Sequence, residues 1–185
     1  MRKKYKIEIK LLSSMHIHSG VAPDGKRMVV KQDNRPFIPA TLIKGIVRDN
    51  FTRLINTFAK DYNITNCDRI IGKFFGQEGF MKSRVIFDNL HTADSTIFDD
   101  RTNIAINRAT RNIVDKALVF SETVSPFNEN GKNIIFTGNI LVYYINGMER
   151  FERLFIESLE SIKCIGSGKS RGLGFVEVMI SEENC

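Results

Sequence analysis

No two of the three cysteines, Cys67, Cys164 and Cys185, lie close together, and the chain has no CxxC pair. That spacing argues against a disulfide scaffold or a secure metal site, and fits reduced thiols in a cytoplasmic protein. Long apolar runs are missing too. The opening MRKKYKIEIKLLSSMHIHSG has a basic head but alternates polar and apolar residues, unlike a signal peptide. Nothing further along is long enough to span a membrane. Internal repeats and low-complexity tracts are also absent. What remains is an ordinary soluble globular composition over 185 residues, 42% hydrophobic and 26% charged. That suits a single domain, 1–185, with a real core and room for an insertion. The formal net charge of +6 permits a polyanionic partner without requiring one.

Periodicity supplies the elements. Residues 4–15 alternate as a strand, with Tyr5, Ile7 and Ile9 on one face and lysines on the other. A polar, turn-rich stretch runs through Asp33 and Asn34. A helix then opens near Pro39 and Thr41, with Leu42, Ile46, Val47, Phe51, Leu54, Ile55 and Phe58 at intervals of three and four. Gly45 inside it costs about 1 kcal/mol relative to alanine, which points to close packing or a ligand's approach. SRVIFDNL (83–90) predicts a second strand, 133–145 a third, 146–162 a second helix, and 174–180 a last strand. The order predicts an α+β, ferredoxin-like (RRM-like) βαββαβ core. Its second and third strands are separated by an irregular insertion, about 91–133, carrying a hairpin. Within the insertion Arg101, Arg108, Arg111 and Lys116 face Asp99, Asp100, Asp115 and Glu122, so it is nearly neutral.

The stretch CIGSGKSRGLGFVEV (164–178) contains a GKS, but it is not a phosphate loop. Position 163 is lysine where a Walker A loop needs glycine, and the loop leaves a helix and feeds a strand, the reverse of the required order. KSRGLGFVEV approaches the RNP1 pattern of RNA-recognition domains, with Leu173 where a base-stacking aromatic belongs, and it falls on the fourth strand, not the third. Gly166, Gly168, Gly172 and Gly174 let backbone approach a ligand closely, and Lys163, Lys169 and Arg171 supply charge for phosphates. The alternative is a solvated turn.

A core of this order followed by IGSGKSRGLGFVEV resembles the RAMP superfamily of CRISPR-associated proteins, in which a glycine-rich loop stands at this place. Further segments look like the Cas7-type members of type III effector complexes. In RPFIPATLIKGIVRDNF, residues Pro39, Leu42, Lys44, Gly45 and Arg48 match the family's helix start. KFFG followed by SRVIFDN brings Asp88 to the family's strand aspartate. RTNIAINRATRNIVDKALVFSETV matches at Arg101, Ile106, Arg108, Ala117, Leu118, Phe120 and Glu122, with Asn107 where aspartate is usual. The resemblance implies a backbone subunit that binds CRISPR RNA for pairing with target RNA, stacked with sibling effector subunits and copies of itself. It puts guide phosphates at Lys44 and Arg48, lines the same groove with Gly166 to Gly174, and places a thumb within 91–125 with Arg108 near its base.

Catalysis is the open question. Some such subunits cleave target RNA with an aspartate after the first strand, where Mg²⁺ would position the attack. Asp24, in PDG, has that location, but Pro-Asp-Gly is also a turn sequence; Asp33 is weaker. His16 and His18, two apart at a strand end, share a face and could serve acid–base cleavage of guide RNA. As metal ligands they need a third partner, and His91 is the only other histidine. The remaining alternative is a generic single-strand RNA-binding domain.

Overall fold

Alternation in the first ten residues sets the frame of the computed structural model, which describes residues 1–183 apart from 80, 105, 115, 116 and 146. Asp115, Lys116 and Cys185 therefore lie outside the described residues. In chain order the elements are β1 (Arg2–Leu11), β2 (His18–Val21), β3 (Arg27–Val29), β4 (Lys31–Gln32), β5 (Arg35–Ile38), α1 (Ala40–Thr57), α2 (Cys67–Phe75), β6 (Val85–Phe87), β7 (Leu90–His91), β8 (Phe98–Asn103), β9 (Val119–Val124), β10 (Ile135–Tyr143), α3 (Glu152–Glu160) and β11 (Val176–Glu183). Short 3-10 turns at Met148–Phe151 and Lys169–Arg171 precede α3 and sit in the glycine loop.

β1 is the spine of the larger sheet. It runs antiparallel to β10, from Arg2↔Tyr143 to Lys10↔Ile135, and antiparallel to β11 on its other side. β6 pairs with β10 at Ile140↔Phe87, and β7, β5 and β4 extend that edge. Inward residues Tyr5, Ile7, Ile9 and Leu11 join Ile43, Val47, Phe51 and Ile55 of α1 and Leu154, Phe155 and Leu159 of α3 in one buried cluster. Each such side chain contributes about 1.5–3 kcal/mol on burial. The chain is thus an α+β fold with mixed sheets, consistent with a ferredoxin-like core. The extra strands and α2 go beyond a bare βαββαβ.

Several sequence expectations need correction. The turn-rich stretch before α1 holds β2 and β3, joined around Pro23-Asp24-Gly25, and a β4–β5 hairpin turning through Asp33 (φ 50) and Asn34 (φ 62). That left-handed pair is the geometry two-residue hairpins favour. These strands are too short and too exposed to show an alternation. α2 has no counterpart in the sequence reading, although Asn66 caps it by accepting from the Arg69 amide at 2.9 Å. The strand expected at 83–90 splits into β6 and β7 around Asp88 and Asn89.

A second sheet, in the order β2-β3-β9-β8, includes a parallel pairing of β3 with β9 at Arg27↔Ser121. Glu122 explains how β3 and β4 attach to the β8–β9 hairpin. Its buried carboxylate accepts from the Val29 amide at 3.1 Å and pairs with Lys31 Nζ at 2.8 Å. The Lys31 ammonium also lies 4.0 Å from the centre of the Phe98 ring. At the far end of the core, Tyr5 donates to Glu152 Oε1 at 2.6 Å, where Lys3 Nζ also binds at 2.7 Å. Burial alone would raise the Glu152 pKa, but these two bonds outweigh it and hold the carboxyl below its ordinary value. Burial, then the Glu152 bond, pushes the Tyr5 phenol up.

Candidate nucleic-acid interface

The glycine loop is a packed structure, not a slack turn. Gly166, Gly168, Gly172 and Gly174 all take positive φ, between 74° and 84°. A Cβ on Gly166 would overlap the His16 carbonyl, and one on Gly174 would overlap the Ile165 carbonyl. The loop's amides largely serve the chain itself: Ser167 N donates to His16 O at 2.9 Å, Ile165 N to Gly174 O at 2.8 Å, and Gly174 N to Ser14 O at 2.9 Å. Leu173 is buried and fills the loop from inside against Gly168. That explains why it is not the exposed aromatic of an RNP1 strand. Close approach by these glycines is therefore first an approach to the chain's own backbone.

What the loop offers outward is cationic side chains. Lys169 and Arg171 are exposed, as is Lys163 just before them. Among the described residues none of the three pairs with a carboxylate, and the same holds for Arg27, Lys44, Arg48, Arg101 and Arg108. The lysines of β1 behave differently. On the sheet face away from the helices Lys4 pairs with Glu183 at 2.6 Å, Lys6 with Glu8 at 2.6 Å, and Lys10 with Glu177 at 3.1 Å. Where RNA-recognition domains present stacking rings, this face carries a lattice of ion pairs.

Two cavities flank the loop. One, about 410 Å³, lies between α1 and the loop and is lined by Gly45, Asp49, Arg53, Lys163 and Lys169, among others. The other, about 200 Å³, lies between the loop and the second sheet and is lined by His16, Arg27, Asn103, Ser121, Ser167 and Arg171, with Ile104, Ala117, Val119 and Leu173 as apolar wall. Arg101 Nη2 donates to the Arg171 carbonyl at 3.0 Å, clamping the β8–β9 hairpin to the loop.

The sequence candidates separate accordingly. Gly45 reaches the first cavity, while Lys44, half-buried, and Arg48, exposed, are not among its lining residues. The α1 N-terminus is partly satisfied already: Ala40 N donates to Asn89 Oδ1 at 2.9 Å. Asn89 was missed in the sequence, where only the neighbouring Asp88 drew notice. Arg108 does not sit near the hairpin's base as expected. It lies in the turn at the distal end, beyond the Ile106↔Ile113 bridge, because Asn107 closes that turn with its own amide and side chain. Asp24 is exposed at the tip of the β2–β3 turn, and its Oδ1 accepts from the Lys26 amide at 3.0 Å. Next to it, Lys26 bonds Asp100 at 2.5 Å, which raises the lysine's pKa.

His16 and His18 are neighbours, with ring centres 5.8 Å apart, but not equivalents: His16 is 4% exposed while His18 is open to solvent. His91 stacks on Phe37 and lines a different cavity, with Lys6 and Asn139. Among the described residues no three His, Cys, Asp or Glu side chains come together as metal ligands would. Asp24 therefore belongs to no such group among the described residues. The thiols of Cys67 and Cys164 are free, and no described helix is long and apolar enough to cross a membrane.

The chain thus presents a sheet packed by helices on one side and an ordered glycine loop whose cations have no carboxylate partner among the described residues. The family profile described as RAMP superfamily matches residues 8–177, so the chain belongs to that superfamily. A search of curated proteins gives no match. Membership supports a role in RNA binding or processing.

Proposed function

We propose that the protein is an RNA-binding backbone subunit of the Cas7 type in a multisubunit type III RNA-guided effector complex. It holds CRISPR RNA by phosphate contacts so that the bases stay free to pair with target RNA. The four strands β11-β1-β10-β6, with α1 and α3, are taken as its ferredoxin-like core. The observation that carries the proposal is the division of charge: lysines on the open sheet face are paired with glutamates, while Lys163, Lys169, Arg171 and Arg27 around the glycine loop have no carboxylate partner among the described residues. Unpaired cations beside two cavities suit a sequence-independent grip on a phosphodiester chain.

The hairpin supports the multisubunit part. Ile104, Ile106, Ile113, Val114 and Leu118, in the connection from β8 to β9, and Phe120 on β9 are all between 42% and 63% exposed. Such a patch fits a surface that another subunit covers. Cleavage is not part of the proposal, because the Asp24 carboxylate caps its own turn and joins no group of three candidate metal ligands among the described residues.

Salt-dependent binding of a fluorescent oligoribonucleotide tests the proposal. Lys169→Ala and Arg171→Ala should each weaken binding, and every phosphate that is no longer neutralised should flatten the log–log salt slope by about 0.7. Lys6→Ala, which removes a cation already paired with Glu8, should leave binding unchanged. An equal loss from Lys6→Ala would move the interface to the sheet face and contradict the proposal.

A further inference from the structure

The 200 Å³ cavity beside the loop holds one group that phosphate binding does not use. His16 is buried, and its Nδ1 lies 2.6 Å from the Glu122 carbonyl oxygen. A carbonyl oxygen can only accept, so Nδ1 carries the proton, and in the neutral ring Nε2 is left with its lone pair. Nε2 makes no hydrogen bond among the described residues. Among the described residues no enclosed side-chain nitrogen or oxygen is left without a partner, so Nε2 is not sealed off, and the cavity that His16 lines is the space beside it. The hydrogen bond to β9 and the Gly166 backbone packed on the His16 carbonyl fix its position.

The surroundings narrow what could meet that lone pair. Arg27 and Arg171 line the same cavity and have no carboxylate partners among the described residues, so the occupant is anionic. No Phe, Tyr or Trp lines the space among the described residues, and the one ring that does, His16, is tied by its Nδ1 to the Glu122 carbonyl. A volume of about 200 Å³ lies below the range of about 300–1,000 Å³ typical of ligand pockets. The occupant must therefore be small, negatively charged and able to donate a hydroxyl proton in a hydrogen bond. A ribose with its phosphodiester meets all three conditions, and a deoxyribose lacks the donor.

We infer that this cavity seats one ribose-phosphate unit of a bound strand, with the phosphate on Arg27 and Arg171 and the 2′-hydroxyl donating to His16 Nε2, so that His16 distinguishes RNA from DNA. The inference rests on the RNA-binding reading above and deepens it.

The test is an anisotropy titration of the purified full chain, at one salt concentration, with a fluorescent oligoribonucleotide, its DNA counterpart and its 2′-O-methyl counterpart. The wild-type protein should bind the RNA about fivefold more tightly than the other two, the worth of about one hydrogen bond. His16→Ala should bring RNA binding down to the DNA level while leaving DNA binding unchanged, which also shows that the variant is folded. Arg171→Ala should weaken all three alike. Because His16 is buried, a second readout uses the unaltered protein: its ring ¹⁵N resonances should shift on adding RNA and stay in place on adding DNA. Tight RNA binding with an unchanged RNA-to-DNA ratio in His16→Ala, or unmoved ring resonances, overturns the inference while the RNA-binding reading stands. No binding to any strand overturns both. RNA cleavage that disappears in His16→Ala makes the residue catalytic and also overturns it.

Discussion

Replacing Gly172 and Gly174 by alanine, one at a time, separates two ways in which the glycine loop depends on glycine. The two positions have nearly the same backbone, with φ +82° and +74°. At Gly172 a Cβ would meet nothing within 4 Å. Its cost is then the left-handed conformation alone, about 1–2 kcal/mol. At Gly174 the same strain applies, but the Cβ also overlaps the carbonyl oxygen of Ile165, which is fully buried. Relief requires the loop to open, and opening endangers the bonds from Ile165 N to Gly174 O and from Gly174 N to Ser14 O. At about 1 kcal/mol for each bond, added to the strain of about 1–2 kcal/mol, Gly174→Ala should cost about 3–4 kcal/mol in all. For a domain of this size about 2–4 °C of melting temperature is lost per kcal/mol. Thermal unfolding followed by circular dichroism should therefore show Gly172→Ala lower by a few degrees and Gly174→Ala lower by roughly 10 °C or more. Equal losses would show that strain alone, and not the close approach to Ile165, requires glycine here.

Other predictions address separate parts of the molecule. Glu122→Gln should lower stability by about 2 kcal/mol in urea unfolding, less than for a fully buried pair because the Lys31 side chain, 24% exposed, can rehydrate; an unchanged midpoint would remove Glu122 as the anchor of β3 and β4. Glu152 titrates below its ordinary value when folded, so its contribution is fully present above the unfolded value near 4.5 and is lost as pH falls through the folded one. The stability gap between the wild type and Tyr5→Phe should accordingly narrow in acid, and a gap independent of pH would contradict the Tyr5–Glu152 bond. Asp24→Ala should cost less than about 1 kcal/mol, the loss of one exposed turn bond, and leave RNA affinity unchanged; a drop in affinity would make Asp24 part of the interface.

How much the sequence disclosed depended on whether a residue's role was local. β1, α1 and β10 were legible because each has a long buried stripe with a fixed period, as in Tyr5-Ile7-Ile9, and β11 because buried Val176 and partly buried Val178 and Ile180 alternate with polar or exposed residues. α1 still buries a slightly different set from the one expected, since Ile43 is fully buried while Leu42 and Ile46 are only partly so. β2, β3 and β4 were not legible because two- to four-residue strands form through partners distant in sequence, such as Glu122 to Val29. Within the candidate site, the glycine loop and its cations stood out as a motif. That its amides would turn inward did not, because their acceptors, Ser14 and His16, lie some 150 residues earlier. His16 and His18 read as twins from their spacing, and only the tertiary fold buries one and exposes the other. Asn89 gave no signal, since its link to Ala40 joins the turn after β6 to the start of α1.

Purification of the protein from its native source under gentle conditions, with mass spectrometry of the intact assembly and sequencing of any bound RNA, tests the central claim most directly. The proposed role predicts a complex of several subunits, including sibling effector proteins, that carries repeat-derived guide RNA. A monomer that carries no RNA under the same conditions would contradict it.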